Sequence, residues 1–400
     1  MSWQNRKFKE LISDEGVFTD GDWVESKDQD PDGEVRLIQL ADVGLGKFID
    51  KSARYLTKEK ALELNCTFLK PGDILIARMP DPIGRACIFP DIGQECVTVV
   101  DVCVVRPNSE QVDNKWLMHM INSRLFNNQI LNFVTGTTRQ RISRGNLAKL
   151  SVKLPPLDEQ KRIAAILDKA DAIRQKRKQA IALADEFLRS VFLEMFGDPV
   201  TNPKGWEVKP LSELIMKGDK INYGIVQPGD HVEDGIAIVR VGDIKDGSID
   251  KSKLKRVARS IDEKHSKSRL IGDEILITCV GATVGKVALA DESLSGFNTV
   301  RALTRIRLNE EVNRSFVFRY LQSPFIQGYF QSQLRTVGQP TLNGKQIGET
   351  PILLPNLNMQ REFLQLSDMA QTAKDLSNSQ LIEADNMFNA LSQKAFSGQL

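Results

Sequence analysis

The sequence has few of the residues that build metal centres and disulfide frameworks. Its 400 residues include five cysteines and three histidines. The cysteines form no Cys-x-x-Cys pair and their number is odd, so we predict reduced, mostly buried thiols. The histidines, His119, His231 and His265, are scattered and lack the spacing of zinc ligands. We therefore expect no metal site.

Long apolar runs and a large excess of charge are also missing. No apolar run approaches the ~18 residues that span a bilayer, and the first residues, MSWQNRKFKE, lack the apolar segment of a secretory signal. The net charge is +2, so any basic surface must be local. We expect a soluble, cytoplasmic protein without a membrane partner, and a chain of this length has room for two or three domains.

Motifs of catalysis are not found either. The chain has no Asn/Asp-Pro-Pro-aromatic tetrapeptide and no Phe-x-Gly-x-Gly cofactor loop, both of which amino-methyltransferases use. No Ser/His/Asp or Cys/His arrangement is visible. These absences favour a binding protein over an enzyme.

An internal repeat organises what is present. LIQLADV at 37–43 matches IVRVGDI at 238–244, and PGDILI at 71–76 matches GDEILI at 272–277. Further along, ISRGNLAKLSVKLPPLDEQ at 142–160 lies opposite LNGKQIGETPILLPNLNMQ at 342–360, at an offset of 200. Matches in the same order at a nearly constant offset indicate one unit of about 200 residues that has been duplicated.

The segment GATVGKVALA at 281–290 resembles a phosphate-binding loop but fails its pattern. That loop needs a glycine where Val280 stands and a serine or threonine where Val287 stands. The matching segment of the first copy, DPIGRACIF at 81–89, keeps only a glycine and a positive charge, on Arg85. Two interpretations remain: a glycine turn between two strands, or a cation held at a turn to meet another phosphate.

Each copy has two parts. The first, 1–155 and 206–355, is rich in short segments with strand patterns, such as 97–105 and 300–308, followed by a helical segment at 116–133 or 316–330. In the second of these helical segments, Pro324 should start a new helix or kink the old one. This mixture predicts an α+β domain, present twice.

The second part of each copy is one long helix. The first follows Pro155-Pro156, with Asp158 placed to cap it, and stops at Gly197. Apolar residues recur every three or four positions in both helices: Ile163, Ile166, Ala170, Ile173, Ala180, Ala184, Phe187, Val191, and Phe363, Leu366, Ala370, Ala373, Ala384, Met387, Leu391. These stripes predict an antiparallel coiled coil with a domain at each end; the alternative is that each helix packs on its own domain.

Two similar domains at a fixed separation suit duplex DNA, which repeats in space. The segment 135–150 carries Arg139, Arg141, Arg144 and Lys149 and no acid. Its Gly, Thr, Ser, Gln and Asn residues suit hydrogen bonds to phosphates and base edges. Segment 240–270 has ten basic and five acidic residues, which indicates either a DNA-facing surface or an ordinary solvated face.

The whole pattern resembles the specificity subunit of type I restriction–modification systems. The resemblance spans the chain and rests on LPPLDEQ with its helix, on PGDILIA and on the duplication. It implies two target-recognition domains, 1–155 and 206–355, a central long helix at 156–198, a linker at 199–205, and a C-terminal long helix at 356–400 that pairs with the central one. Each domain would recognise half of a bipartite, asymmetric site in double-stranded DNA, and the helices would set the spacer.

The resemblance also implies partners and contact residues. Two methylation subunits would dock on the helical parts and use S-adenosylmethionine, and a restriction subunit that translocates DNA would use ATP and Mg, so this chain itself would be non-catalytic and hold no cofactor. The alternative is a stand-alone bipartite DNA-binding protein. The predicted DNA-binding residues are Arg139, Gln140, Arg141, Arg144, Arg85, Lys286, Arg240, Lys245, Arg335 and Lys345. The predicted partner-binding residues are Glu159, Gln160 and Gln360.

Overall fold

Both halves of the chain fold into a strand-rich domain followed by a long helix. The computed structural model describes residues 3–12, 16–245, 247–334 and 339–400. The contacts divide the chain into two units. Unit 1 comprises residues 1–179 and 377–400, and unit 2 comprises residues 180–376. Each unit therefore contains one strand-rich domain and a part of both long helices.

The strand-rich domain of unit 1 contains nine strands and four short helices within the described residues. The strands are β1 Gln4–Lys7, β2 Val17–Asp20, β3 Val35–Ile38, β4 Tyr55–Leu56, β5 Ile74–Ala77, β6 Ala86–Ile88, β7 Cys96–Thr98, β8 Val102–Arg106 and β9 Ser151–Leu154. The helices are α1 Lys58–Glu63, α2 Asn114–Ile121, α3 Arg124–Leu131 and α4 Arg144–Lys149, and the first long helix is α5 Leu157–Phe196.

The domain of unit 2 repeats this order with small changes. Its strands are β10 Glu207–Pro210, β11 Asn222–Tyr223, β12 Ile236–Val239, β13 Ile244–Lys245, β14 Ser248–Ile249, β15 Lys255–Val257, β16 Ile275–Thr278, β17 Val287–Leu289, β18 Asn298–Thr299, β19 Leu303–Ile306 and β20 Pro351–Leu354. Its helices are α6 Arg259–Lys264, α7 Arg314–Gln322, α8 Pro324–Gln333 and α9 Gly344–Gly348, and the second long helix is α10 Leu357–Ser397.

The two domains share one sheet topology. The four-stranded sheet has the order β2-β8-β5-β6 in unit 1 and β11-β19-β16-β17 in unit 2. The three-stranded sheets, β4-β3-β7 and β15-β12-β18, each combine one antiparallel and one parallel pair. In both domains the first strand pairs with the last, β1 with β9 and β10 with β20. The prediction of a mixed, strand-rich domain present twice is confirmed.

Two predicted segments are divided in the structure. Segment 116–133 forms two helices, because the Ser123 hydroxyl accepts a hydrogen bond from the Phe126 amide and starts a new helix there. In unit 2 the same break falls at Pro324, which is the first residue of α8, as predicted. Segment 97–105 forms β7 and β8, which run in different sheets on either side of a turn at Asp101.

The long helices begin and end close to the predicted positions. α5 begins at Leu157, so Asp158 lies in its first turn instead of capping it, which corrects that prediction. In α10 the Asn356 side chain accepts a hydrogen bond from the Met359 amide and serves as the cap. α5 ends at Phe196, and the following Gly197 has a φ of 80°, the left-handed conformation that glycine adopts readily. At ~1.5 Å per residue, the 40 residues of α5 extend ~60 Å.

Within unit 1 the two long helices run antiparallel. The Arg162 guanidinium donates to the Leu400 carbonyl at 3.0 Å, and further along α5 Arg174 contacts Asp385 at 2.6 Å. The partner number falls as the α5 number rises, which defines the antiparallel direction. Phe396 of α10 is buried in the core of this unit and lies 6.4 Å, between ring centroids, from Trp116 of α2.

Unit 2 repeats this arrangement with the roles of the helices exchanged. Lys374 contacts Asp185 at 2.6 Å, and Phe192 packs edge-on against Phe363 with 5.7 Å between ring centroids. Phe196, at the end of α5, is fully buried against the domain of unit 2. In each unit, therefore, the helices pack both on each other and on the domain. The two alternatives predicted from the sequence, a helix pair and helices packed on a domain, are both present.

The predicted apolar stripes are only partly buried. Ile163, Ala170, Val191, Phe363, Ala370 and Ala384 are buried. By contrast, Ile173 and Phe187 of α5 and Ala373 and Met387 of α10 are exposed, which corrects their assignment to the helix interface.

All five cysteines are free and buried, as predicted for thiols. Burial raises the pKa of each thiol, to about 12 for Cys66 and Cys87 and to about 11 for Cys96. Raised pKa values leave little thiolate at neutral pH, so these residues act as apolar packing groups.

Candidate nucleic-acid interface

Residues 135–141, which we call the basic hairpin, form a closed loop on unit 1. Thr135 and Arg141 exchange two backbone hydrogen bonds of 3.0 and 2.9 Å across its base. Gly136 has a φ of 94°, and a Cβ atom there would lie 2.4 Å from the Arg139 carbonyl oxygen. Only glycine therefore fits this turn. The hairpin holds Arg139 and Gln140 exposed at its tip.

A buried arginine fixes the base of the basic hairpin. The Arg78 guanidinium is almost fully buried and donates to the carbonyl oxygens of Val100 and, at 3.5 Å, of Ile142. Its Nε atom also lies 3.3 Å from a carboxylate oxygen of Asp20. Sequence reasoning missed Arg78, because a single arginine after an apolar strand gives no sign of burial. Arg78 joins the turn between β7 and β8 and the chain after the hairpin into one support.

Two of the predicted DNA-binding arginines in this region, Arg141 and Arg144, lie close to acidic residues. Arg141 lies 3.9 Å from Asp101, and Arg144 lies 3.9 Å from Asp20 while it donates to the Phe18 carbonyl oxygen at 3.0 Å. Both guanidinium groups remain about half exposed. The structure thus exposes Arg139, Gln140 and Arg141 on the hairpin and Arg144 at the start of α4.

Arg85 and Lys286 occupy matching turns but differ in surroundings. Arg85 donates to four backbone carbonyl oxygens, those of Leu40, Val43, Met79 and Pro82. Such contacts hold the turn together, so any DNA contact by Arg85 would come in addition to a structural role. Lys286 is exposed, and its segment is a glycine turn between the antiparallel strands β16 and β17. A phosphate-binding loop joins a strand to a helix instead.

The predicted cations of unit 2 lie in two places. Arg240 forms a two-pronged ion pair with Asp243, and Lys245 pairs with Asp250 at 2.6 Å. The hairpin of β13 and β14 contacts β17 beside Lys286, where the Leu289 amide donates to the Gly247 carbonyl oxygen. Lys345 lies elsewhere, exposed on α9 and 3.7 Å from Glu349.

One predicted residue cannot be placed. Arg335 falls outside the described residues. The segment that contains it corresponds in sequence to the basic hairpin of unit 1, at the offset of 200.

The glutamines at the start of the long helices have a role other than the predicted one. Gln160 and Gln360 are fully buried, so neither side chain is available to a partner, which corrects our prediction. Gln160 accepts from the Asp113 amide at 2.9 Å and donates to the carbonyl oxygens of Gln111 and Pro155. Gln360 makes the equivalent contacts with the Asn313 amide and the Pro355 carbonyl oxygen.

These glutamines therefore tie each long helix to the domain before it. A neighbouring ion pair adds to this junction in unit 1, where Asp168 of α5 contacts Lys115 and His119 of α2. Burial opposes ionisation of Asp168, but the hydrogen bonds from Lys115 and His119 outweigh it and lower its pKa. Glu159, the third predicted partner-binding residue, lies at the surface and pairs with Arg162 at 2.8 Å.

Within the described part of the chain, no group of three or more His, Cys, Asp or Glu side chains could hold a metal ion. None of the helices described there has the length and apolar character needed to cross a membrane.

Comparison with known proteins points to one family. The family model described as "Type I restriction modification DNA specificity domain" matches residues 3–183 and again residues 203–383. The chain is 27% identical to the type I restriction enzyme EcoBI specificity subunit of Escherichia coli, over 75% of this chain and 68% of that protein. It is 22% identical to the EcoKI specificity subunit of Escherichia coli strain K12, over 91% of this chain and 82% of that one.

Solved structures share the fold. The S subunit of a type I restriction–modification system from M. genitalium matches with a TM-score of 0.58 at 16% identity, covering 99% of this chain and 96% of that one. A chain from a structure of a type I restriction–modification system, described in terms of complex assembly and conformational transition, matches with a TM-score of 0.57 at 18% identity. It covers 100% of this chain and 98% of that one.

Proposed function

Because the chain belongs to the family of type I restriction modification DNA specificity domains, we propose that it is the sequence-specificity subunit of a type I restriction–modification complex. In this role it is non-catalytic. The domain of each unit recognises one half of a bipartite, asymmetric site in double-stranded DNA. Methylation of adenine, with S-adenosylmethionine, and cleavage, with ATP and Mg, belong to the partner subunits.

The basic hairpin carries the DNA-binding part of this proposal. Its tip exposes Arg139 and Gln140 on a rigid base, and Arg141 and Arg144 flank it. Exposed guanidinium groups held in place are suited to phosphate oxygens or to the edge of guanine. Lys286, Arg240, Lys245, Arg335 and Lys345 are proposed to contact DNA in unit 2, and Arg85 in unit 1.

Salt dependence of DNA binding tests the hairpin. Each phosphate contact contributes about −0.9 to the slope of log K against log salt, so Arg139→Ala should flatten the slope by about one unit. If Arg139 contacts a guanine edge instead, its loss should cost ~1–3 kcal/mol at a single base position. Lys58→Ala, an exposed cation on α1 of the same domain, is the control and should leave both quantities unchanged. Unaltered binding by the Arg139, Arg141 and Arg144 variants would refute the proposal.

Exposed apolar side chains on the long helices support the docking of methylation subunits. In unit 1 these are Ile173, Ile382 and Met387, and in unit 2 they are Leu183, Phe187, Met369 and Leu376. Apolar groups in this number on an exposed helix face are typical of a protein–protein interface. Glu159, at the surface of the first helical turn, is proposed to lie at its edge.

Phe187 and Met387 occupy matching positions of the duplication, 200 residues apart. Replacing either one with Asp should weaken co-purification with the methylation subunit by placing a charge in the interface. DNA binding by the chain itself should persist. Val200→Asp, at an exposed apolar residue of the segment between the copies, is the control and should not affect co-purification. Co-purification unaffected by both helix variants would favour a stand-alone bipartite DNA-binding protein.

The paired helices are proposed to set the spacer between the two half-sites. One heptad inserted into both helices keeps the apolar pattern in register and adds ~10 Å of helix. At ~3.4 Å per base pair this corresponds to up to about three base pairs. The unspecified spacer of the methylation motif should lengthen while both specified halves stay the same. A motif methylated normally with an unchanged spacer would contradict this role.

A further inference from the structure

The indole of Trp23 is a large apolar group that stands exposed on unit 1. The side chain is 71% exposed, whereas the indole of Trp116 is fully buried. Its Nε1 atom donates to a carboxylate oxygen of Glu25 at 3.2 Å, which fixes the orientation of the ring. Leaving so large an apolar surface in water is unfavourable, which suggests that a ligand covers it.

The backbone holds Trp23 at a defined place. Asp22 forms a parallel bridge to Val99, and its carboxylate accepts a hydrogen bond of 3.0 Å from the Thr67 amide. The preceding Gly21 passes so close to this strand that a Cβ atom would lie 2.1 Å from the Val99 carbonyl oxygen. The indole therefore projects from a rigid support, and a ligand would not have to order it.

Unit 2 presents an apolar side chain at the same position. There Gly224 passes close to Thr299, so that a Cβ atom on residue 224 would lie 2.0 Å from the Thr299 carbonyl oxygen. The next residue, Ile225, forms a parallel bridge to Val300. The next residue, Val226, is 55% exposed. The two domains thus keep an exposed apolar group after the same glycine, although the residue type differs.

The surroundings of Trp23 connect it with the basic hairpin. Trp23 borders a cleft of about 400 Å³ whose lining includes Glu25, Gln29, Gln39, Arg54 and Val100. The carbonyl oxygen of Val100 accepts from Arg78, the arginine that also supports the hairpin base. The following residue, Asp101, contacts Arg141 of the hairpin. The cleft and the basic hairpin therefore adjoin the same turn, at Val100 and Asp101.

The chemistry of this cleft fits base edges better than phosphates. The two carboxylates of the lining, on Asp22 and Glu25, outnumber its one cation, Arg54, which disfavours a phosphate. The major-groove edge of a base pair instead offers amino groups, acceptors and the C5 position of a pyrimidine. The C5-methyl group of thymine is the apolar group of that groove. The nearby hairpin cations would meanwhile contact the backbone.

We propose that Trp23 packs against the C5 edge of a pyrimidine in the major groove, and that Val226 does so in the other half-site. This inference rests on the proposed function, since it assumes that both domains bind duplex DNA. It assigns base recognition to two positions outside the basic segments of the sequence. In unit 2 the position that corresponds to Val100 carries the exposed Arg301, which would make the two half-sites differ.

The test uses the full chain, with its methylation subunits where these co-purify, and duplexes that carry the motif mapped from methylated adenines in the host. At each base pair of the motif, thymine is replaced by uracil or cytosine by 5-methylcytosine. These probes change only the C5 substituent. We expect one position in each half-site to alter the affinity of the unmodified protein by about fourfold, the equivalent of one buried methyl group at ~0.8 kcal/mol.

Variants assign that sensitivity to a residue. Trp23→Ala should abolish it in one half-site only, and Val226→Ala should abolish it in the other. Leu62→Ala, at an exposed leucine of the same domain outside the cleft lining, should retain it. Near-ultraviolet circular dichroism verifies that the variants are folded.

Two results overturn the inference: an unmodified protein that is insensitive to every C5 probe, or a Trp23→Ala variant that keeps the full pattern. Failure of the proposed function looks different. In that case the basic-hairpin variants bind DNA as the unmodified protein does, and no sequence preference exists. Weakened binding by the hairpin variants together with an unchanged C5 pattern in Trp23→Ala overturns this inference alone.

Discussion

Replacing Gln160 with methionine should loosen the junction between the first domain and α5. The side chain is fully buried and makes three hydrogen bonds, one from the Asp113 amide and two to carbonyl oxygens. Methionine has a similar length but leaves all three partners unsatisfied. At ~1 kcal/mol of net stability for each bond, the loss is about 3 kcal/mol. For a unit of about 200 residues this corresponds to a melting temperature lower by about 6–12 °C.

The duplication supplies a second, graded version of this experiment. Gln360 makes two such bonds, one from the Asn313 amide and one to the Pro355 carbonyl oxygen, so Gln360→Met should cost about 2 kcal/mol. Lys161→Met places the same side chain at the exposed neighbour of Gln160 and should have almost no effect.

Hydrogen exchange followed by mass spectrometry distinguishes the two sites. The side-chain oxygen of Gln160 accepts a hydrogen bond from the Asp113 amide and protects it from exchange. Gln160→Met should therefore speed hydrogen exchange in peptides covering 108–118 by up to about 100-fold. Peptides covering 308–318 should be unchanged, and Gln360→Met should show the reverse pattern. If Gln160→Met leaves both exchange and melting temperature unaltered, the glutamine does not hold the junction.

Three further predictions concern other parts of the fold. Burial opposes ionisation of Asp42, but hydrogen bonds from Ser52, Gln39 and Lys51 outweigh it and lower its pKa. The stability that this carboxylate contributes is therefore present above pH ~4, the ordinary pKa of aspartate, and is lost as the pH falls below that value. In denaturant titrations, Asp42→Asn should lose less stability on acidification than the unmodified chain does. Arg174 pairs with Asp385, and its guanidinium carbon lies 4.4 Å from the centroid of the Phe388 ring. In urea unfolding, Arg174→Ala should lower the free energy of unfolding by ~1–2 kcal/mol, whereas Lys374→Ala, which loses a single ion pair, should lower it by less than ~1 kcal/mol. Equal losses would argue against the ring contact. Gly136→Ala should distort the basic hairpin and weaken DNA binding, whereas Gly93→Ala, at a similar positive φ with open space around it, should not; equal binding by the two variants would mean that the hairpin shape is unimportant.

Several features of the molecule follow from local signals in the sequence. The offset of 200 residues showed the duplication, because both copies retain strand patterns and turn residues in the same order. Gly197 ended α5 and Pro324 began α8, since the backbone preferences of these two residue types act through neighbouring atoms alone. The glycine and cation content also identified the basic hairpin as a candidate contact surface.

Other features depend on residues far apart in the chain. Gln160 and Gln360 were predicted to bind a partner at the start of each long helix, yet the domain folds over them and buries both. Phe187 and Met387 fit the apolar period of their helices but are exposed. The period of apolar residues predicts which side of a helix is apolar, but it does not predict which part of that side another element covers.

The sequence by itself determined the duplicated α+β design, the two long helices and the places where local backbone chemistry starts or stops an element. Only the tertiary structure decided that Arg78 is buried beneath the basic hairpin, that Arg85 donates to backbone carbonyls, and that Trp23 stands exposed on unit 1. The physical reason is that burial and hydrogen-bond partners are set by strands that are distant in sequence, such as β2, β5 and β8, which meet only when the sheet forms.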